Sequence, residues 1–230
     1  MKSLFSNPSY WCFDYWQELE KKFNQRSVFY IYADSGEKKN LKTWLLDPSY
    51  DLAINNALKK KLSLLLGEGF EIGLHGSFNS ATDKKLLGKE KQLLERTIGR
   101  EVIKTRQHWL RYVENITPYI HNELFEYDST LGWNDLMGFR SGCASRYRPY
   151  DHKNRKAFDF FETPQILMDS IIFGHSYCGF AQKAAIAIEL IEKVKRYKNS
   201  YISVSWHQRS CSTDYGWNTE YEKILAKRYP

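Results

Sequence analysis

The sequence predicts an α/β fold in which parallel strands alternate with helices in a sheet or barrel. Two observations carry this. Runs of β-branched and aromatic residues alternate with runs of helical spacing along nearly the whole chain. The predicted strands also end, again and again, in His or Asp, as expected where all strand C-termini share one rim. The 230 residues, 42% of them hydrophobic, suffice for one domain with a large core, and neither a repeat nor a low-complexity linker divides them.

Taken in order, Asn7-Pro8-Ser9 precedes an amphipathic helix from Tyr10 to Phe23, with Trp11, Tyr15, Leu19 and Phe23 at helical spacing. Ser27 to Asp34 (SVFYIYAD) is a buried strand. Asp51 to Leu66 is helical and is closed by Gly67 and Gly69. Phe70 to His75 (FEIGLH) is a strand, Ser80 to Ile98 a helix stopped by Gly99, and Glu101 to His108 (EVIKTRQH) a strand. Leu110 to Leu124 contains a helix in which Pro118 sits awkwardly, and Phe125 to Asp128 (FEYD) is a short strand. Leu131 to Arg155, rich in Gly, Arg, Tyr and Trp with weak periodicity, reads as a long functional loop. Phe160 to Met168 is a strand interrupted by Pro164. Tyr177 to Tyr197 is a helix, Tyr201 to His207 (YISVSWH) the last strand, and Tyr215 to Arg228 a terminal helix.

Bulk properties narrow the function classes. A net charge of +7 admits a polyanionic partner, but the basic residues are scattered, and the densest group, Lys59-Lys60-Lys61, reads as a solvated helix face. Nucleic acid is therefore not the expected partner. Cys12, Cys143, Cys178 and Cys211 form no CxxC pair and no disulfide pattern, so free thiols in a reducing compartment are expected. The N-terminal MKSLFSNPSYWCFDYW lacks an apolar run of signal-peptide length, and no stretch of membrane-spanning length occurs. A cytoplasmic protein without a membrane span is expected.

The strand ends carry the chemistry. His75, His108 and His207 close three predicted strands, Asp34 and Asp128 close two more, and another runs into Asp169. Alone, a His at a strand end is more often a hydrogen-bonded structural residue, and an Asp there is often a helix cap. Together on one rim they form a candidate site. Neutral imidazoles plus a carboxylate suit Zn²⁺ with a position left open for water.

Four segments, EIGLHGS (71–77), RQHWLR (106–111), YDSTLGW (127–133) and GFRSG (138–142), stand in an order that resembles the polysaccharide deacetylase-like proteins of the NodB homology superfamily. The resemblance spans Asn7 to His207. It implies a distorted (β/α)7 barrel that removes N- or O-acetyl groups from a carbohydrate with a divalent metal, Zn²⁺ being the expected ion. His75 matches the family's first metal ligand. Asn79 stands where a second His would be, and His108 is the candidate replacement. Arg106 falls near the arginine that orients the catalytic carboxylate, and His207 resembles the late His that acts as general acid. In the loop, Trp133 and Tyr147 are expected to offer faces for sugar stacking, and Arg140 to meet an acidic sugar or the site carboxylate.

The resemblance also implies a first strand bearing an Asp pair ahead of Asn7, where only MKSLFS stands. Residues 1–230 are therefore expected to form a single domain that lacks this strand, an opened barrel whose exposed edges invite self-association. The base would then be Asp34 or Asp128, and turnover is expected to be very slow or absent. Two other readings stand beside this one: a non-catalytic remnant of the fold that keeps a carbohydrate-binding role, and a basic nucleic-acid-binding module.

Overall fold

A computed structural model describes residues 10–33, 52, 55–173 and 180–228 of the chain. The strands are Val28–Tyr32 (β1), Glu71–Gly76 (β2), Lys104–Gln107 (β3), Tyr127–Asp128 (β4), Tyr150–Asp151 (β5), Lys156–Ala157 (β6), Phe161–Glu162 (β7), Gln165–Met168 (β8) and Ser203–Ser205 (β9). The helices are Phe13–Lys22 (α1), Asn56–Gly67 (α2), Lys84–Ile98 (α3), Thr117–Leu124 (α4), Asp169–Phe173 (α5), Phe180–Lys195 (α6) and Asn218–Arg228 (α7).

β1, β2, β3, β4 and β7 form a five-stranded sheet in that order, every pairing parallel. The register aligns Tyr32 with His75 and His75 with Arg106, so the C-terminal ends of the first three strands lie at one edge. β8 and β9 form a separate parallel pair. β5 and β6 make a small antiparallel hairpin at the end of the long loop.

Sequence periodicity explains how the layers pack. Leu58, Leu62 and Leu65 of α2 and Leu87 and Leu94 of α3 meet Ile31, Ile72, Leu74 and Val102 in one buried cluster. Each such side chain contributes about 1.5–3 kcal/mol on burial. The helices start where a side chain can accept from the first free N–H groups. Asn55 Oδ1 accepts from Leu58 N–H and Asp83 Oδ1 from Leu86 N–H, both at 3.0 Å. Gly99 adopts the left-handed φ of 68° that ends α3. A second cluster joins Ile166 and Leu167 of β8 to Ile172, Ile191, Val194 and Ile224. A third joins Trp16 and Leu19 of α1 to Tyr221 and Leu225 of α7, so the two ends of the chain pack together.

Several expected boundaries move. The strand expected over Phe160 to Met168 is two strands, because Pro164 has no N–H to give a ladder. β7 before it pairs with β4, and β8 after it pairs with β9. The helix expected from Leu110 begins only at Thr117, which puts Pro118 in its first turn, where a missing N–H is no loss. β3 ends at Gln107, and His108–Leu110 form a tight turn instead of strand. Asp34, the expected end of the first strand, lies outside the described residues. Among the described residues, no strand pairs with the outer edge of β1 or of β9, so the barrel is open.

Candidate functional site

A cavity of about 700 Å³ occupies the open interior, and β1, β3 and β9 all contribute to its lining. His75, Arg106, His108 and His207 line it together. The register of β2 and β3 brings the first two level, and the parallel order of the strands brings the others to the same space.

Each histidine has a defined partner. His75 Nδ1 lies 3.0 Å from the carbonyl oxygen of Arg106. A carbonyl only accepts, so the proton sits on Nδ1 and the lone pair on Nε2. Burial holds the His75 imidazole well below its ordinary value, and the nearby positive charge of His108 and Arg106 adds to this. His75 is thus a neutral ring whose Nε2 has no hydrogen-bond partner among the described residues. The His108 ring lies 5.0 Å away, centroid to centroid, at 72°. His207 is held by Asp169 twice, from ring Nδ1 at 2.6 Å and from its backbone N–H at 2.8 Å. Asp169 is fully buried, while the His207 side chain is 44% exposed.

Arg106 crosses the interior. It donates to Ser129 O at 3.2 Å, Ser129 Oγ at 3.1 Å and Ser205 Oγ at 2.8 Å, and its guanidinium lies 4.2 Å from the Tyr30 ring centroid. A Cβ on Gly73 would come within 2.7 Å of the Tyr30 ring, so only glycine leaves that ring room. All three hydrogen bonds run to neutral oxygens. Burial lowers the Arg106 pKa, while the charges of Tyr30, Asp128 and Glu162 oppose the shift.

Other expected residues lie elsewhere. Asp128 is fully buried and does not line the cavity. Its Oδ2 accepts from His121 Nδ1 at 2.9 Å, and its Oδ1 accepts from Thr130 N–H at 3.0 Å. With both oxygens engaged in the layer behind the cavity, it is not placed to act as a base. Burial pushes the Asp128 carboxyl up, but His121 and Thr130 outweigh it and hold it below the ordinary range. Glu162 beside it is driven well above its ordinary value, by burial first and then by the Asp128 charge. Trp133, Arg140 and Tyr147 do not line the cavity either. Arg140 lies 5.8 Å over Trp133 and donates to Leu110 O at 2.9 Å. Tyr147 bridges β7 through its backbone bonds with Glu162.

Asp169, Ser129 and Ser205 complete the set. Asp169 shared the strand-end signal that picked out the histidines. Ser129 and Ser205 carried none, since a serine near a strand end has no distinguishing pattern.

Comparison with solved structures gives the architecture a name. A structure described as a polysaccharide deacetylase of Mycobacterium smegmatis superimposes with a TM-score of 0.62 at 15% identity, over 95% of this chain and 70% of its own. Another, from Pseudomonas aeruginosa PAO1, gives 0.59 at 14%, over 94% and 65%. The chain has the polysaccharide deacetylase fold. The polysaccharide deacetylase fold is shared by Puue allantoinase, with a TM-score of 0.59 at 12% identity over 92% of this chain and 64% of its own. The chain thus spans between 64% and 70% of the length of these deacetylase-fold structures. No protein-family model and no curated protein matches it.

Proposed function

We propose that this chain is a carbohydrate deacetylase-type hydrolase, acting on N- or O-acetyl groups of a poly- or oligosaccharide. One observation carries the reading: two adjacent imidazoles, a third imidazole held from behind by a buried carboxylate, and an arginine meet in one cavity of a parallel α/β fold.

The donor set suits a divalent ion. His75 is neutral, its Nδ1–H is tied to a backbone carbonyl and its Nε2 carries the lone pair, which is how ligating imidazoles are oriented. His75 and His108 would hold the ion, Zn²⁺ in this reading. A divalent ion there supplies Lewis-acid polarisation of an acyl carbonyl. Among the described residues no group of three His, Cys, Asp or Glu is placed to bind a metal, so two imidazoles make a weak site.

The chain's own residues divide the remaining work. Asp169 occupies the Nδ1 side of His207, so proton delivery to a leaving amine or alkoxide runs through Nε2. Arg106 offers a fixed positive charge to an acyl oxygen or a carboxylate. Asp34, two residues beyond β1 in sequence, is the candidate base.

One observation favours the non-catalytic reading. Asn79, which replaces the expected second histidine, is exposed, and its Oδ1 accepts from Arg111 at 3.5 Å. Acetate release from acetylated chitin oligomers, with and without added Zn²⁺ or Co²⁺, decides between the two. Metal-dependent release supports the hydrolase. Oligosaccharide binding without release identifies the remnant. Titration calorimetry of wild type against His75→Ala tests the ligand: micromolar affinity at best is expected for wild type, and identical titrations would remove His75 from the site.

A further inference from the structure

The N-cap position of α1 is held by Cys12, whose side chain makes no cap bond to the helix. Ser, Thr, Asp or Asn there would accept from one of the first free N–H groups. The Cys12 thiol instead lies in hydrogen-bond contact with that of Cys211, near the other end of the chain. Cys12 is buried with Trp16, Leu19, Tyr221 and Leu225, and the half-buried Cys211 packs against this cluster. The contact belongs to a longer seam. Trp16 Nε1 donates to Gln208 O at 2.7 Å, and the Tyr10 hydroxyl donates to Asp214 Oδ2 at 2.8 Å. Cys143, by contrast, donates to Ser145 O at 3.4 Å within its own loop, and Cys178 lies outside the described residues.

The two cysteines stand on the two sides of the open barrel. α1 leads into β1, and the turn Gln208–Cys211 follows β9, starting immediately after His207. β1 and β9 are the strands whose outer edges lack a strand partner among the described residues. A covalent link here would tie the two edges across the gap and close almost the whole chain into one loop. Long loops gain most from such closure, because the unfolded chain loses most freedom. A disulfide forms only where the fold already brings two cysteines together, and thiols in hydrogen-bond contact meet that requirement. Burial, and then the bond to Cys12, push the Cys211 thiol up to about 12. Little thiolate is therefore present at neutral pH, and exchange is slow until an oxidant is supplied.

We propose that Cys12 and Cys211 are a redox pair, which a small-molecule disulfide such as oxidised glutathione converts into a staple between the two edges of the barrel. The Cys211 thiolate, the more accessible of the two, attacks one sulfur of the oxidant, forming a mixed disulfide and releasing one glutathione thiolate. The Cys12 thiolate then attacks the Cys211 sulfur and expels the second. The two cysteines together lose two electrons and two protons, and the oxidant gains them and leaves as two molecules of thiol. Neither step uses the histidine cavity, so the staple does not depend on the carbohydrate reading.

The full chain is incubated with oxidised glutathione at about pH 8.5, where more thiolate is present. Remaining thiols are blocked with N-ethylmaleimide before unfolding, and the peptides are mapped without reduction. Wild type should yield one cross-linked pair joining Cys12 to Cys211, lighter than the separate peptides by two hydrogens. Its melting temperature should rise by at least about 5 °C, and dithiothreitol should reverse the rise. Cys143→Ser should behave as wild type. Cys12→Ser and Cys211→Ser should lose both the cross-link and the rise, and a serine hydroxyl at position 12 can cap α1, so the first variant should fold. No cross-link, a lasting glutathione adduct on Cys211, or a link to Cys143 or Cys178 overturns the pair. A link between two chains, visible as a dimer on a non-reducing gel, overturns it as well. A cross-link within the chain that leaves the melting temperature unchanged or lowered overturns the staple.

Discussion

Asp169 fixes His207 through two different hydrogens, and either alone would leave the ring a degree of freedom. The ring bond sets which nitrogen is free, and the backbone bond sets where the ring starts from. Asp169→Asn should keep the fold and the backbone bond while losing the charged acceptor. Removing a supporting partner of this kind typically costs about 10–100-fold in activity. The metal-supplemented acetate assay should show that loss in kcat with KM little changed, and a loss confined to KM would argue against the assignment. His75 makes the second residue-scale prediction. Its folded-state pKa lies well below the ordinary 6.5, chiefly through burial. Below that ordinary value the unfolded chain takes up a proton there that the folded chain refuses, so stability falls as pH falls. The slope is at most about 1.4 kcal/mol per pH unit. Wild type should therefore lose more melting temperature than His75→Gln between pH values of about 7.5 and 5.5, and equal losses would clear His75 of the effect.

At the scale of elements, β4 is only two residues long, yet it joins β3 to β7 in the middle of the sheet. Two pairs of backbone partners are a small hold for a central strand. What secures it is the network behind it: Gln107 Nε2–H donates to His121 Nε2 at 3.0 Å, and His121 Nδ1–H donates to Asp128. All three side chains are fully buried. Asp128→Ala would leave His121 without its carboxylate partner, a class of change that costs about 3–5 kcal/mol. Urea unfolding should show a loss of that size, and a loss below about 1 kcal/mol would mean that the pair is not what holds β4. By contrast, the α3 cap acts locally, and Asp83→Ala should cost about 1 kcal/mol by the same measurement. These elements were unevenly legible in the sequence. α1, α2 and α3 are long enough for the 3.6-residue period to declare itself, and α2 and α3 end at Gly67 and Gly99. A two-residue strand has no period, so neither β4's boundaries nor the side on which Asp128 stands was readable from spacing.

For the molecule as a whole, the open interior is the decisive feature. β1 and β9 contribute to the lining of the same cavity, and among the described residues neither outer edge has a strand partner. Inside, among the described residues, Arg106 bonds the neutral oxygens of Ser129 and Ser205. A parallel strand placed between these edges would complete both ladders, and a carboxylate at its C-terminal end would meet Arg106. Fusing a strand ending in Asp-x-Asp ahead of the chain should raise both the melting temperature and acetate release. The same fusion ending in Asn-x-Asn should retain part of the stability and none of the added turnover. No change in melting temperature with either fusion would show that the gap does not accept a strand.

The sequence by itself determined the alternation of strands and helices, the glycine stops of the second and third helices, and the position of His75, His108 and His207 at or just beyond the C-terminal ends of parallel strands. These follow from local rules, because periodicity and capping act within a few residues. Only the tertiary structure decided which of two strand-end carboxylates, Asp128 or Asp169, stands beside the cavity. Asp128 and Asp169 carry the same strand-end signal, but the chain packs Asp128 against His121 behind the sheet and Asp169 against His207 beside the cavity. It also decided that Trp109, and not Trp133 or Tyr147, lines that space. That outcome depends on the left-handed backbone of Trp109 and Leu110, whose carbonyls accept from Asn134 and Arg140, about 25 and 30 positions further along the chain, an interaction with no local trace in sequence.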